Sequence, residues 1–188
     1  AYETAVGDRW LSHALRSSLM DFEEIPALIG IEDSGHAVLP SPHPNQEGFW
    51  SLVGDGAATL VSYLLARSVA NSDNFMERGW KMRSSVKGVN RSLWNGQNKL
   101  ADEIEMQTRS HFEQCGVVSN WTRKRLEGEP NLMLIEAHID GKLASLGVRN
   151  SGTQAKISVS LRLAAGMKHQ EIASVIPFLT ETLSQAMK

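Results

Sequence analysis

One short turn of the chain, Arg-Asn-Ser-Gly-Thr, places many hydrogen-bond donors between two stretches that are typical of strands. Arg149 carries a planar fork of N–H groups that fits two oxygens of one anion. Ser151 and Thr153 add hydroxyl donors, and Gly152 permits backbone angles that let successive amides face one concavity. These groups together fit a phosphate. The same pattern also fits a polar hairpin turn that binds nothing, and the turn alone leaves both interpretations open.

A second group of polar side chains lies in the segment Glu-Asp-Ser-Gly-His. Glu32, Ser34 and His36 alternate across a turn between two short apolar stretches, so their side chains can project to one side. A carboxylate, a hydroxyl and an imidazole together suit the hydroxyl groups of a sugar. A solvated turn with no ligand is the alternative. We predict no metal site, because only Glu32 and His36 are strong ligand types here and no cysteine is near.

Two further acidic residues, Asp8 and Asp55, each precede a helical pattern and are candidates for helix capping or for polar chemistry. Asp8 and Arg9 precede a helical pattern, so they are either a cap and a surface charge or part of a polar site. Asp55 opens a second helical pattern and is predicted to cap it. The glycines around Asp55 lack the lysine and the spacing of a phosphate-binding P-loop.

Composition limits the classes of protein to which the chain can belong. The 188 residues are 41% hydrophobic, which is typical of globular proteins with a core. A net charge of -2 disfavours nucleic acid and anionic membranes as partners. No apolar run reaches the ~18 residues of a membrane-spanning helix. The single cysteine, Cys115, excludes an internal disulfide and favours a reducing, cytoplasmic location.

Hydrophobic periodicity predicts elements that would hold these side chains in place. Helices are predicted over 9–22, 55–70, 99–114 and from 168 onward, and strands over 2–6, 27–31, 37–39, 131–139, 142–148 and 156–163. Asp140-Gly141 predicts a two-residue hairpin turn, and Pro177 predicts a kink or two short helices. Proline punctuation predicts a loop over 40–44. The pattern indicates two small α+β or α/β units joined by a polar, glycine-bearing junction near residues 72–90, and we divide the chain into 1–72, a linker over 73–85, and 86–188.

Four segments, taken in order, resemble the C-terminal portion of the α-D-phosphohexomutase family: TAVGDRW, IGIEDSGHAVL, VGDGAATLVSYLLA and VRNSGTQAKISVSLRL. The family includes phosphoglucomutases, phosphomannomutases and phosphoglucosamine mutases. These isomerases move a phosphoryl group between two positions of a hexose phosphate through a sugar bisphosphate. The resemblance implies part of the family's third domain, a three-layer α/β unit, over 1–72. It implies the fourth domain, an antiparallel sheet with helices on one face like the TATA-box-binding protein, over 86–188.

The resemblance also assigns roles to particular residues. The family's E-x-S-G-H loop grips sugar hydroxyls, and a nearby loop of the same domain lies close to the sugar. The implied sugar-binding residues are Glu32, Ser34, His36, Asp8 and Arg9. The family's R-x-S-G-T loop clamps the phosphate that is not being transferred. The implied phosphate-binding residues are Arg149, Asn150 through its backbone, Ser151, Gly152 and Thr153.

The chain departs from the family in two ways. The clamp loop usually continues Glu-Pro, whereas this chain has Gln154-Ala155, which removes a carboxylate and a rigid residue. The sequence also has no Ser-His-Asn-Pro loop to carry the phosphoryl group and no Asp-Gly-Asp-Gly-Asp-Arg loop to hold magnesium. The resemblance therefore implies a fragment without catalytic residues of its own. It would depend on N-terminal domains of the same enzyme, with magnesium and a sugar bisphosphate as cofactors of the whole enzyme.

Two alternatives remain open at the level of sequence. The chain is also consistent with a stand-alone sugar-phosphate-binding or regulatory module that uses the same two loops. It is further consistent with a structural domain in which both loops are inert. The opening strand and helix of the family's third domain are not found in the sequence, and a bare sheet edge is unfavourable. We therefore expect either that they were lost by proteolysis or that other contacts cover this edge.

Overall fold

The computed structural model describes residues 3–5, 7–19, 28–32, 35–69, 77–152 and 154–188. The chain divides into two units, residues 1–75 and 76–188. The first unit contains a three-stranded antiparallel sheet and the second a five-stranded antiparallel sheet, each accompanied by helices. The chain is therefore a mixed α/β protein consistent with the α+β class. No helix within the described ranges is both long enough and apolar enough to cross a membrane.

The first helix packs closely against the first strand. Helix α1 spans Asp8–Leu19 and begins at Gly7, whose carbonyl accepts from the amide of Trp10 at 2.9 Å. Strand β1 is short, Gly30–Ile31, and a Cβ added at Gly30 would lie 3.1 Å from the side chain of Leu15. The predicted strand over 2–6 is not present in its described part, residues 3–5, and the predicted end of the helix at 20–22 lies outside the described residues.

Strands β2, Ala37–Pro42, and β3, Trp50–Val53, correct the predicted loop over 40–44. They pair in an antiparallel register that runs from Leu39↔Val53 to Pro42↔Trp50. Strand β1 pairs with the first two residues of β2, Ala37 and Val38. Pro40 and Pro42, which lack an N–H donor, pair with β3 on one side, and no described strand pairs with them on the other side. Such partly unpaired positions are where prolines are tolerated in sheets.

Helix α2, Gly56–Val69, begins as predicted. The amide of Ala58 donates to Oδ1 of Asp55 at 2.8 Å, so Asp55 is the N-cap. None of its side chains is buried, although the helix is apolar; its exposed large hydrophobic residues are Leu60, Val61, Tyr63, Leu64, Leu65 and Val69.

The second unit is built on a sheet with the order β4-β8-β7-β6-β5. Its strands are β4 (Trp80–Lys87), β5 (Val118–Lys124), β6 (Leu132–Ile139), β7 (Lys142–Asn150) and β8 (Lys156–Leu163). Residues 80–85 were predicted to belong to a linker, but they pair with β8 along the whole length of β4. Strands β6, β7 and β8 were predicted, whereas β5 was not.

The β6–β7 hairpin confirms the predicted turn at Asp140-Gly141. Ile139 pairs with Lys142, so the loop contains two residues. Asp140 has φ 50° and Gly141 has φ 77°. Positive φ at both central positions is the geometry of the type I′ turn, whose twist matches that of the two strands.

Helices pack against one face of this sheet. Helix α3 spans Lys99–Cys115, α4 spans His169–Ala173 and α5 spans Val175–Ala186. Alternate residues of β7 and β8, such as Leu146 and Val159, are fully buried in one core with Phe112 and Leu179 of the helices. The two C-terminal helices separate at Ser174, whereas Pro177 lies in the first turn of α5, where its missing N–H costs little.

Candidate functional site

The Arg-Asn-Ser-Gly-Thr turn joins the end of β7 to the start of β8. Arg149 and Asn150 are the last residues of β7, and Lys156 is the first of β8. Arg149 lies between Leu132 of β6 and Ser158 of β8 in the register of the sheet. Thr153 lies outside the described residues, so its predicted contribution stays a prediction.

Arg149 is held by a carboxylate from another loop. Its Nε donates to Oε2 of Glu129 at 2.8 Å; the Arg149 side chain is 36% exposed and that of Glu129 8% exposed. The two terminal nitrogens of Arg149 are not buried and have no partner among the described residues. The guanidinium is therefore fixed at one edge and open at the other. The sequence analysis missed Glu129, which lies 20 residues away along the chain.

Two backbone amides of the turn, those of Asn150 and Ser151, donate to acceptors within the protein and so are not part of a row of amides free for an anion. The amide of Asn150 donates to the carbonyl of Asn131 at 3.4 Å, and that of Ser151 donates to the carbonyl of Lys156 at 2.9 Å. The φ of Gly152 lies outside the left-handed region. Because these amides already have acceptors, anion binding at this turn depends mainly on side chains.

Asn150 and Arg91 connect the turn to the loop that follows β4. The buried amide Nδ2 of Asn150 donates to the carbonyl of Arg91 at 2.8 Å and to that of Trp94 at 3.3 Å. In return, Nη2 of Arg91 donates to the carbonyl of Gly152 at 2.9 Å. Asn150 was predicted to act through its backbone, whereas the structure gives its side chain this structural role. No sequence motif around Arg91 indicated the contact.

Gln154 and Ala155 close the turn through their backbones. The amide of Gln154 donates to Oγ of Ser151 at 3.2 Å, and the carbonyl of Ala155 accepts from the amide of Gly88 at 2.8 Å. These two bonds help to hold the turn in place.

Elsewhere in the same unit, a shallow cavity of about 260 Å³ contains several basic side chains. Its lining residues are Gly96, Gln97, Arg123, Lys124, Arg125 and Leu132. Arg123 donates to both Asp102 and Glu105 at 2.8 Å, and Lys124 pairs with Glu136. Acidic partners thus neutralise Arg123 and Lys124, whereas Arg125 bonds the neutral side chain of Gln97. The cavity is therefore a weaker anion site than its residue types suggest.

In the first unit, His36 bonds two acceptors at once. Its Nδ1 lies 2.9 Å from Oδ1 of Asp8, and its Nε2 lies 2.8 Å from the carbonyl oxygen of Gly54. Both ring nitrogens must carry a proton to donate in this way, which describes an imidazolium ion. The Gly54 carbonyl, followed by the carboxylate of Asp8, raises the pKa of His36 above its usual 6.5.

Glu32 lies beside this pair. Its amide donates to the carbonyl of His36 at 2.8 Å, and its carboxylate contributes to the raised pKa of His36. Ligand atoms of Asp8, Glu32 and His36 lie within 4.8 Å of one another, a spacing that could hold a metal ion. A metal would have to displace one of the two bonds of His36, because neither ring nitrogen has a free lone pair. The geometry favours a proton over a metal at this position.

Two other predicted sugar-binding residues have different outcomes. The guanidinium of Arg9 lies 5.1 Å from the centre of the Trp10 ring, so it stacks on its own neighbour and not on the His36 group. Ser34 lies outside the described residues. The structure thus brings together three of the five predicted residues, namely Asp8, Glu32 and His36.

A scan against models of known protein families finds no match, and a search of curated proteins also finds none.

Proposed function

We propose that this chain binds hexose phosphates as the C-terminal portion of an α-D-phosphohexomutase, an enzyme that interconverts hexose 1- and 6-phosphates. The observation that carries the proposal is the hydrogen bonding of the Arg149 side chain. Its guanidinium is anchored by Glu129 through Nε, and its terminal nitrogens are open at the turn where the family holds a phosphate.

A phosphate monoester suits this arrangement for a physical reason. Two terminal N–H groups of one guanidinium match two oxygens of a phosphate, and such charge-assisted bonds are about twice as strong as neutral ones. The anchor at Nε fixes the plane of the fork before the ligand arrives, so less side-chain entropy is lost on binding. The hydroxyl of Ser151, whose oxygen accepts from the amide of Gln154, lies in the same turn.

The carboxylates of Asp8 and Glu32 support a sugar-binding role for the first unit. A carboxylate accepts hydrogen bonds from vicinal hydroxyls, and the imidazolium of His36 orients the carboxylate of Asp8. His36 itself contacts a sugar only if it gives up one of its two present bonds. We therefore assign it mainly a positioning role.

The proposed part of the mechanism is binding and orientation. Phosphoryl transfer depends mostly on positioning and electrostatic stabilisation, so a clamp that never reacts still affects the rate. The phosphoserine loop and the magnesium loop belong to other domains in the family. The sugar-binding and phosphate-binding residues of this chain are therefore not expected to hold the metal. The five-stranded antiparallel sheet with helices on one face supports the assignment of the second unit to the family's fourth domain. With one free cysteine, we place the protein in the reducing cytoplasm.

The test is to compare Arg149→Ala with the unmodified chain for glucose 1-phosphate and mannose 1-phosphate by calorimetry. Loss of two charge-assisted bonds should weaken both ligands roughly 10- to 100-fold. Arg109→Ala is a matched control, because Arg109 is an exposed arginine of α3 that pairs with Glu113 and stacks on Trp121. Loss of affinity for only one of the two sugars would contradict the clamp role.

A further inference from the structure

We propose that Arg91 is a second phosphate-binding guanidinium of this turn, and that Lys87 and Lys156 add the charge that selects a doubly charged phosphate monoester. This inference rests on the proposed function, because it names further residues of the same site. None of the three residues belongs to the Arg-Asn-Ser-Gly-Thr motif, residues 149–153, that indicated the site.

Arg91 reaches the turn from a separate loop. Its Nη2 lies 2.9 Å from the carbonyl oxygen of Gly152, and its own carbonyl accepts from the side chain of Asn150 at 2.8 Å. The two bonds run in opposite directions between the same two segments. They hold the Arg91 guanidinium against residues 150–152.

Arg91 also has unused donors and an uncompensated charge. Its Nε is buried without a partner, and its Nη1 is neither buried nor bonded to a described residue. No described carboxylate pairs with Arg91, whereas Glu129 pairs with Arg149. A buried N–H donor without an acceptor is unfavourable. Arg91 therefore gains more from an incoming anion than Arg149 does, because Arg149 is already paired with a carboxylate.

Two lysines lie directly opposite each other at the strand ends that flank the turn. Lys87, the last residue of β4, pairs in register with Lys156, the first residue of β8. Like charges in directly opposite positions destabilise a sheet. Neither lysine has an acidic partner among the described residues, so the repulsion is not relieved within that part of the protein. An anion at the turn would relieve it, and a dianion would do so more than a monoanion.

The test measures binding of glucose 6-phosphate and glucose 6-sulfate to the full chain by NMR titration at neutral pH. The two ligands have similar shape, but the phosphate is mostly a dianion and the sulfate a monoanion. The variants are Arg91→Gln, which keeps an N–H donor for the carbonyl of Gly152, and Arg149→Gln. The matched control is Arg125→Gln, which removes an exposed arginine that bonds Gln97 away from the turn.

We expect Arg91→Gln to weaken phosphate binding about tenfold and to reduce the preference for phosphate over sulfate, while Arg125→Gln changes neither by more than about twofold. Equal weakening of phosphate and sulfate would overturn the inference, because it would show that Arg91 only holds the turn. Unchanged binding by Arg91→Gln alongside weakened binding by Arg149→Gln would overturn the inference and leave the proposed function standing. Failure of the unmodified chain to bind either ligand would overturn both.

A second variant keeps the inference testable if Arg91→Gln disturbs the turn, which the amide signals of Ser151 and Gly152 would reveal. Lys87→Gln removes one of the two opposed charges at an exposed position of β4. It should raise the melting temperature of the ligand-free chain at low salt and, at the same time, weaken phosphate binding about threefold. A variant that binds phosphate as well as the unmodified chain would overturn the role given to the lysines.

Discussion

Arg149 and His36 each bond a carboxylate, but the two contacts leave different capacities for a ligand. Among the described residues, Arg149 uses Nε alone, on Glu129, which leaves its terminal nitrogens open. His36 uses both ring nitrogens, on Asp8 and on the Gly54 carbonyl. At the scale of single residues, the first side chain is a candidate binding group. The second is a proton-dependent connection between α1, the turn after β1 and the start of α2.

The connection through His36 predicts a pH dependence. The pKa of His36 is raised above 6.5 in the folded chain, first by the Gly54 carbonyl and then by Asp8. The stabilising proton is therefore fully present below the unfolded pKa and is lost as the pH rises through the folded pKa. Thermal unfolding of the first unit should become easier over that pH range, and a titration of the His36 ring signal by NMR should show the raised pKa.

Asp8→Asn tests the cause of this shift. It removes the carboxylate but leaves the bond to Gly54, so the pKa of His36 should fall toward its usual value without reaching it. An unchanged pKa in this variant would contradict the contact between Asp8 and His36. A separate variant, His36→Gln, should remove the pH dependence of unfolding that the proton on the His36 ring causes.

The residues that carry motifs were predictable, but their partners were not. Arg149, Glu32 and His36 follow from residue type and spacing, because donors and acceptors in one turn face a common side. Glu129 and Arg91 lie 20 and 61 residues away from their partners in the turn. Local patterns contain no information about such contacts, which arise only when the sheet brings distant loops to one end. The use of the amides of Asn150 and Ser151 within the protein was unpredictable for the same reason.

At the scale of elements, periodicity predicted the parts that bury a regular face. Strand β8 alternates buried and less buried residues, and α3 places Ile104, Thr108 and Phe112 on one buried stripe. Strand β4 is mostly exposed and gave no strand-like pattern, and the two prolines of β2 limited its predicted strand to 37–39. Their strand conformation comes from pairing with β8 and β3, which is a tertiary effect that overrides local preference.

Two glycines provide a prediction at this scale. Gly141 and Gly96 both have positive φ, 77° and 74° respectively, so alanine at either position is strained. A Cβ at Gly141 would meet nothing within 4 Å, whereas one at Gly96 would lie 2.9 Å from the backbone of Leu132. Gly141→Ala should therefore cost about 1 kcal/mol of unfolding free energy from φ strain alone. Gly96→Ala should cost roughly 1–3 kcal/mol more because backbone atoms must move.

Urea unfolding of the two variants measures this difference directly, provided that the m-values match that of the unmodified chain. Equal costs would contradict the close approach of Gly96 to β6. A larger cost at Gly141 would contradict the open hairpin turn.

At the scale of the whole molecule, the net charge of -2 hides a local excess of positive charge. Arg91, Lys87 and Lys156 lie at or beside one turn without acidic partners among the described residues. Net charge bears on the long-range attraction of polyanions, so a value near zero disfavours nucleic acid as a partner and yet permits a compact site for one small anion. The function of the chain therefore has to be argued from the site and not from the overall composition.

The proposed function predicts binding without turnover. The sequence contains neither the phosphoserine loop nor the magnesium loop of the family, so the 188-residue chain should not convert glucose 1-phosphate to glucose 6-phosphate. A coupled assay with magnesium and glucose 1,6-bisphosphate checks this expectation. Turnover above the background of a chain carrying Arg149→Ala would contradict the assignment of the catalytic groups to other domains.

The most direct test of the central claim is an NMR titration of the isotopically labelled chain with a hexose phosphate. The account predicts saturable shifts of the Arg149 side-chain signal and of the Gly152 amide signal. The same hexose without a phosphate group should produce neither shift. Unchanged Arg149 and Gly152 signals at millimolar hexose phosphate would contradict the claim that this turn is a phosphate site.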